Sequence, residues 1–241
     1  MYTANVIYRL RSPRDKVWAF VSEPERLARW FANVDSFCAD APFRFVFGDG
    51  DFHNGDVIEW YDEIGFALRW QFLGLGPWYR IRFSLLPRKD DTELAISDHG
   101  AISLDEALCL RLGWTEFCVR LQRVLDGEGS ARFDWRRDFN VTSRFRNRGA
   151  ARALRDPGWY RQQFDAEIRE VDESGGILLL DADRWTGVST TVRIRQRLYR
   201  DGEYTEIQHD GFGDMNAACA KQERRAAASA WLTGLQTLGA Y

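Results

Sequence analysis

The 241-residue chain reads as an α+β protein in which a curved antiparallel sheet wraps around a long C-terminal helix, and the arrangement is repeated in a partial second domain. Three observations predict this. In the run 103–125, Trp114, Phe117, Cys118, Leu121 and Val124 recur at three- and four-residue steps, with Glu116, Arg120, Gln122 and Arg123 largely on the other side. Ahead of that helix, several stretches alternate apolar and polar residues with period two, as half-buried strands do. The second half of the chain then repeats part of the same succession.

Residues 5–10 form the first strand. Ser12-Pro13-Arg14-Asp15 supplies an N-cap followed by proline at the first helical position, opening a short helix with Val17, Phe20 and Val21 inward. Ser22-Glu23-Pro24 restarts the pattern for a second short helix carrying Leu27, Trp30 and Phe31. Residues 43–47 and 56–61 read as strands on either side of a Gly/Asp turn at 48–51. Phe66, Leu68, Trp70 and Phe72 alternate with Ala67, Arg69 and Gln71, and Tyr79, Ile81, Phe83 and Leu85 alternate with Arg80, Arg82 and Ser84. After the turn at 87–91, Leu94, Ile96 and Asp98 continue the inward set, and His99-Gly100 leads to the long helix. Ser103 and Glu106 have capping-box spacing at its start. Gly113 weakens the helix interior by about 1 kcal/mol relative to alanine and marks a kink or the start of its final stretch.

In the second half, 167–171 and 176–180 read as a strand pair, with Trp185 at the place of Trp70. Thr190, Val192, Ile194, Gln196 and Leu198 alternate, and Thr205, Ile207 and His209 take the places of Leu94, Ile96 and Asp98. A helix from Asp214 onward carries Ala228, Trp231, Leu232, Leu235 and Leu238. Residues 127–163 are too few for the first strand, both short helices and the next two strands, so the second copy is truncated. The boundary falls in the Asp/Gly-rich stretch 126–129, giving domains 1–126 and 127–241.

Composition narrows the function classes. Hydrophobic and charged contents of 45% and 29% suit a soluble globular protein, and a formal charge of −3 argues against nucleic acid as a partner. No apolar run approaches the roughly 20 residues of a membrane span, and the N-terminus lacks a signal-peptide cleavage site, so cytoplasm is the expected address. The four cysteines include no C-x-x-C pair and read as small buried apolar groups. None of the three histidines lies at metal-ligand spacing, and nucleophile-elbow, Walker and dinucleotide motifs are missing, so no metal, cofactor or catalytic residue is assigned. The segment 130–161 holds nine arginines against three aspartates; it suits a solvated connector or a contact with an acidic partner or second subunit.

Ser12-Pro13 with Val17-Trp18, Trp30-Phe31, Gly55-Asp56-Val57, Trp70, Thr92-Glu93-Leu94, His99-Gly100 and Gly113-Trp114 form an ordered set. Over residues 4–126 it resembles the activator of the 90-kDa heat-shock-protein ATPase, a family of the START/SRPBCC, birch-pollen-allergen-like superfamily. The resemblance implies a helix-grip fold, with the sheet closing on the long helix over a hydrophobic cavity. Such a cavity would be lined by the inward residues Trp30, Trp70, Phe83, Ile96, Asp98, Trp114, Phe117 and Leu121, although each ring taken singly also suits plain core. Asp98 and His209 sit at matching inward positions, where an ionisable group needs a partner, a ligand or water at a strand end.

Three functions follow as expectations. The leading one is non-enzymatic binding of a small hydrophobic molecule in the first-half cavity. The second is a chaperone-associated regulator that acts on an ATPase through its surface, as the family name implies, although no separate N-terminal chaperone-binding domain is recognisable. The third is a cyclase- or hydrolase-like enzyme with Asp98 or His209 as general acid or base.

Overall fold

The period-two segments are strands, and they pair into two antiparallel sheets, one in each of two compact units, Met1–Asp134 and Trp135–Tyr241. The structure is a computed structural model that describes residues 2–48, 50–75, 77–101, 104–132, 139–143, 152–171, 176–185, 187–199 and 202–239. The Ser103 end of the capping pair and residues 133–138 and 144–151 of the arginine-rich segment lie outside these residues.

In the first unit the order is β1 (Tyr2–Leu10), α1 (Arg14–Ser22), α2 (Pro24–Leu27), β2 (Pro42–Val46), β3 (Phe52–Tyr61), β4 (Gly65–Phe72), β5 (Trp78–Arg88), β6 (Asp91–Ala101) and α3 (Leu104–Leu125). The sheet runs β1-β6-β5-β4-β3-β2, so the first strand pairs with the last while the rest form a meander. Alternation decides the faces: Leu94, Ile96 and Asp98 on β6, Ile81, Phe83 and Leu85 on β5, and Phe66, Leu68 and Trp70 on β4 are all buried. On α3, Trp114, Cys118, Leu121 and Leu125 form the buried face, whereas Leu104, Leu108 and Leu112 are exposed.

Several residues of the ordered sequence set have local structural reasons. Thr92, fully buried, donates its hydroxyl to the Ser12 carbonyl at 2.8 Å, tying the end of β1 to the start of β6. At Gly55 an added Cβ would lie 2.2 Å from the Arg69 carbonyl oxygen and 2.6 Å from the Phe43 ring, so only glycine lets β3 pass there.

Some expectations are corrected. The helix α3 runs unbroken through Gly113, which is neither kink nor start. A Cβ added at Gly113 would meet nothing within 4 Å, so no close contact requires the glycine. Of the four cysteines, Cys118 is buried, Cys219 is partly buried, and Cys38 and Cys109 are exposed, the last because it falls beside the outer leucine stripe of α3. Pro13 is itself the cap residue of α1, and its ring carries no acceptor for a side-chain cap bond.

The second unit contains β7 (Phe139–Ser143), α4 (Pro157–Phe164), β8 (Ala166–Val171), β9 (Ile177–Ala182), β10 (Thr190–Tyr199), β11 (Gly202–Asp210), a 3-10 turn (Phe212–Asp214) and α5 (Ala217–Thr237). Its sheet runs β7-β11-β10-β9-β8, the order of the first sheet without a counterpart of β2 among the described residues. Between residues 127 and 164 the described elements are one strand, β7, and one helix, α4.

Register fixes the equivalences. Asp98 lies between Ile81 and Ala4, and His209 lies between Val192 and Phe139. The same register puts Leu180, opposite Thr190, where Trp70 stands opposite Tyr79. Trp185 is thus not the counterpart of Trp70. It lies past the end of β9, and its indole donates to Glu223 of α5 at 3.0 Å.

Candidate functional site

The inner face of the first sheet, the α1–α2 region and α3 converge on an aromatic cluster. Trp70 and Trp114 stack with ring centroids 5.8 Å apart, and Phe31 lies near-parallel to both at 6.2 and 6.0 Å. Phe83 meets Trp114 edge-on at 5.5 Å, and Phe117 meets Phe31 edge-on at 4.8 Å. Quadrupolar rings favour these offset and T-shaped contacts, which add to the burial energy of each ring.

In the middle of the cluster is a void of about 10 Å³, lined by Val21, Leu27, Trp30, Phe31, Phe37, Phe45, Phe66, Leu68, Trp70, Phe83 and Trp114. This is room for at most one water molecule. Four of the eight sequence-derived residues, Trp30, Trp70, Phe83 and Trp114, line it. Ile96 and Leu121 are buried in the surrounding core, Phe117 is half-buried against Phe31 and Trp114, and Asp98 lies behind Trp114.

The reasoning from sequence missed Phe37 and Phe45 and did not place Phe31 at the void. Phe37 lies in an irregular stretch, where no period assigns a face. Phe45 sits on the short edge strand β2, where the Phe43, Phe45 alternation is the signal that marks it as inward.

Asp98 is the polar member of the group. It is 1% exposed, and its Oδ2 accepts the Trp114 indole N–H at 2.8 Å. Its Oδ1 is buried with no hydrogen-bond partner among the described residues. Burial raises its pKa from 3.8 to about 6, with the Trp114 hydrogen bond opposing the rise and the charge of Glu106 adding to it. Glu106 itself accepts the Tyr79 hydroxyl at 2.7 Å. The N–H of Trp30 goes to the Phe20 carbonyl at 2.9 Å, which fixes that ring against α1.

In the second unit His209 is fully buried among Phe164, Trp185, Phe212 and Trp231. Trp231 Nε1 donates to His209 Nδ1 at 3.0 Å, and Nε2 lies 2.7 Å from the Thr190 hydroxyl. The indole requires a bare Nδ1, so the ring is neutral with its proton on Nε2. Burial, with a smaller contribution from the positive charge of Arg184, lowers its pKa from 6.5 to about 3.

Among the described residues no group of three or more His, Cys, Asp or Glu could hold a metal ion. No helix among them is long and apolar enough to cross a membrane.

On the outside, beside β2 and β3, a cleft of about 490 Å³ is lined by Asp35, Ser36, Pro42, Phe43, Arg44, Asn54, Gly55, Asp56 and Trp78. Trp78 is half exposed there, with the Arg69 guanidinium 5.0 Å from its ring centre.

Comparison with known proteins agrees with this architecture. No curated protein matches the chain. Among solved structures, DynU16, a protein of the dynemicin biosynthetic locus, is 22% identical, with a TM-score of 0.74 over 97% of this chain and 96% of its own. CalU16 from Micromonospora echinospora is 21% identical over 53% of this chain and 76% of its own, with a TM-score of 0.46. The Aha1 dimer protein from Colwellia psychrerythraea is 18% identical over 53% of this chain and 98% of its own, with a TM-score of 0.45. The family described as Activator of Hsp90 ATPase homolog 1-like protein matches residues 11–126, the span from α1 to the end of α3. The first unit thus has the helix-grip architecture, and over residues 11–126, just under half of the chain, it is similar to the Activator of Hsp90 ATPase homolog 1-like family.

Proposed function

We propose that the first unit is a non-enzymatic binding protein that holds a small, mostly apolar molecule between its sheet and α3. One observation carries this reading: apolar side chains from the sheet, the α1–α2 region and α3 converge on an internal void, with a buried carboxyl held behind it by Trp114. Cores built only for stability seldom keep a carboxyl with an unused oxygen. At about 10 Å³ the closed site is far below the roughly 300–1,000 Å³ of a ligand pocket, so rings must part to admit a molecule.

A single carboxyl with an indole donor can orient a bound group. The void itself is lined, among the described residues, by apolar and aromatic side chains, so chemical change of the ligand is not expected. The test is a panel of fluorescent fatty acids, isoprenoids and flavonoid-like aromatics, read through quenching of Trp70 and Trp114, together with native mass spectrometry of freshly purified protein. Binding that Trp70→Phe and Phe83→Leu weaken several-fold upholds the reading. A clean apo mass and no binding across the panel would remove it.

The surface cleft favours a second reading, regulation of a chaperone ATPase or contact with a second subunit through the outer face of the sheet. Its half-exposed Trp78, backed by Arg69, is the kind of anchor that protein interfaces use. Loss of a partner on Trp78→Ala, with ligand binding unchanged, would favour it. The protein is expected to act in the cytoplasm in either case.

A further inference from the structure

The two sheets place an ionisable residue at the same point and complete it differently. Asp98 and His209 occupy equivalent register positions, and each receives an indole N–H from the long helix of its own unit, Trp114 and Trp231 respectively. In the second unit the remaining His209 nitrogen is matched by the Thr190 hydroxyl at 2.7 Å. The first-sheet counterpart of Thr190, by the same register, is Tyr79, and its hydroxyl turns away to Glu106 at 2.7 Å. The group that completes His209 is therefore diverted in the first unit, and Asp98 Oδ1 is left buried without a partner among the described residues.

A carboxylate oxygen only accepts, and a buried acceptor without a donor carries its full desolvation cost. What satisfies it has to bring a hydrogen. Resting on the ligand-binding reading above, we propose that Asp98 Oδ1 is the polar anchor of the first-unit site and that the ligand is an aromatic molecule presenting a hydroxyl or N–H donor to it. The second unit, with both histidine nitrogens engaged internally, takes no such ligand.

The experiment uses the full chain and a matched set of probes: 2-naphthol, which donates; 2-methylnaphthalene, of similar shape without a donor; and 2-methoxynaphthalene, which only accepts. Affinities are read by tryptophan quenching and calorimetry. Wild type is expected to bind 2-naphthol about tenfold or more tighter than 2-methylnaphthalene, as befits a hydrogen bond to a charged acceptor. Asp98→Asn keeps an acceptor for Trp114 but puts an amide N–H₂ in place of Oδ1, so it should lose the naphthol preference and gain on 2-methoxynaphthalene. His209→Asn should leave the preference as in wild type.

Equal binding of 2-naphthol and 2-methylnaphthalene by wild type would overturn the anchor and leave the ligand reading standing. Failure of all three probes, with the broader panel also negative, would overturn both. Should Asp98→Asn not fold, the Trp114 indole N–H resonance decides on wild type: a large shift with 2-naphthol and not with 2-methylnaphthalene supports the anchor, and equal shifts overturn it.

Discussion

Asp98 shows how one side chain can be legible in place and not in state. Alternation along β6 put it inward with Leu94 and Ile96, and there it lies. That its partner is the Trp114 indole follows from the meeting of α3 with the sheet, which no local pattern encodes. The consequence is measurable. Because burial raises its folded pKa to about 6 from 3.8, the folded state binds this proton more tightly than the unfolded one. Its stabilising contribution is full below pH 3.8 and is lost as pH rises through about 6. The difference corresponds to about 3 kcal/mol at most. Asp98→Asn should remove that increment, so urea titrations at pH 4 and pH 8 should show the variant gaining on wild type at the higher pH. A variant-minus-wild-type difference that does not change with pH would contradict this. The cysteines give a second test at this scale. Burial pushes the Cys118 thiol up to about 12, whereas Cys38 and Cys109 are exposed. Iodoacetamide on native protein should modify Cys38 and Cys109 and spare Cys118 until denaturant is added, as peptide mass mapping would reveal.

Elements were legible wherever one face meets the core and the other meets solvent. The strands β4, β5 and β6 and the buried face of α3 followed from period alone, since a one-residue slip would reverse every inward residue. Less was legible where structure is irregular: Phe37 joins the aromatic cluster from a loop, and α2 ends at Leu27, so Trp30 and Phe31 reach the core from the turn that follows. The mistaken pairing of Trp185 with Trp70 has the same origin, because matching by residue type ignored the strand end that register reveals. Gly55 illustrates a constraint that sequence displays without its reason. Its missing Cβ would fall 2.2 Å from the Arg69 carbonyl, a backbone atom of the neighbouring strand that cannot swing aside. Gly55→Ala should therefore cost on the order of 1–3 kcal/mol by overpacking, measured as a fall in the urea midpoint, while the exposed-helix change Gly113→Ala should be neutral or stabilising by up to about 1 kcal/mol. Equal effects at the two glycines would show that β3 can shift to make room.

At the scale of the whole molecule, the shared sheet order makes the two units chemical opposites at one position. An acid sits there in the first and a base in the second, both buried, and burial disfavours the charged form of each. For Asp98 that raises the folded pKa, so the first unit gains stability as pH falls through about 6. For His209 the folded pKa drops to about 3 from 6.5, so the stability it contributes is present above pH 6.5 and is lost as pH falls below that value. With a slope of about 1.4 kcal/mol per pH unit for one proton, acidification from pH 7 to pH 5 should cost the second unit about 2 kcal/mol and favour the first by about 1 kcal/mol. Amide exchange mass spectrometry at the two pH values, corrected for intrinsic exchange rates, separates the units because each reports through its own peptides. Protection in β10, β11 and α5 should fall at pH 5 while that in β5, β6 and α3 holds or rises. Asp98→Asn should flatten the response of the first unit and leave that of the second unchanged. Loss of protection in both units by similar amounts would mean that surface carboxylates, and not these two buried groups, set the acid response.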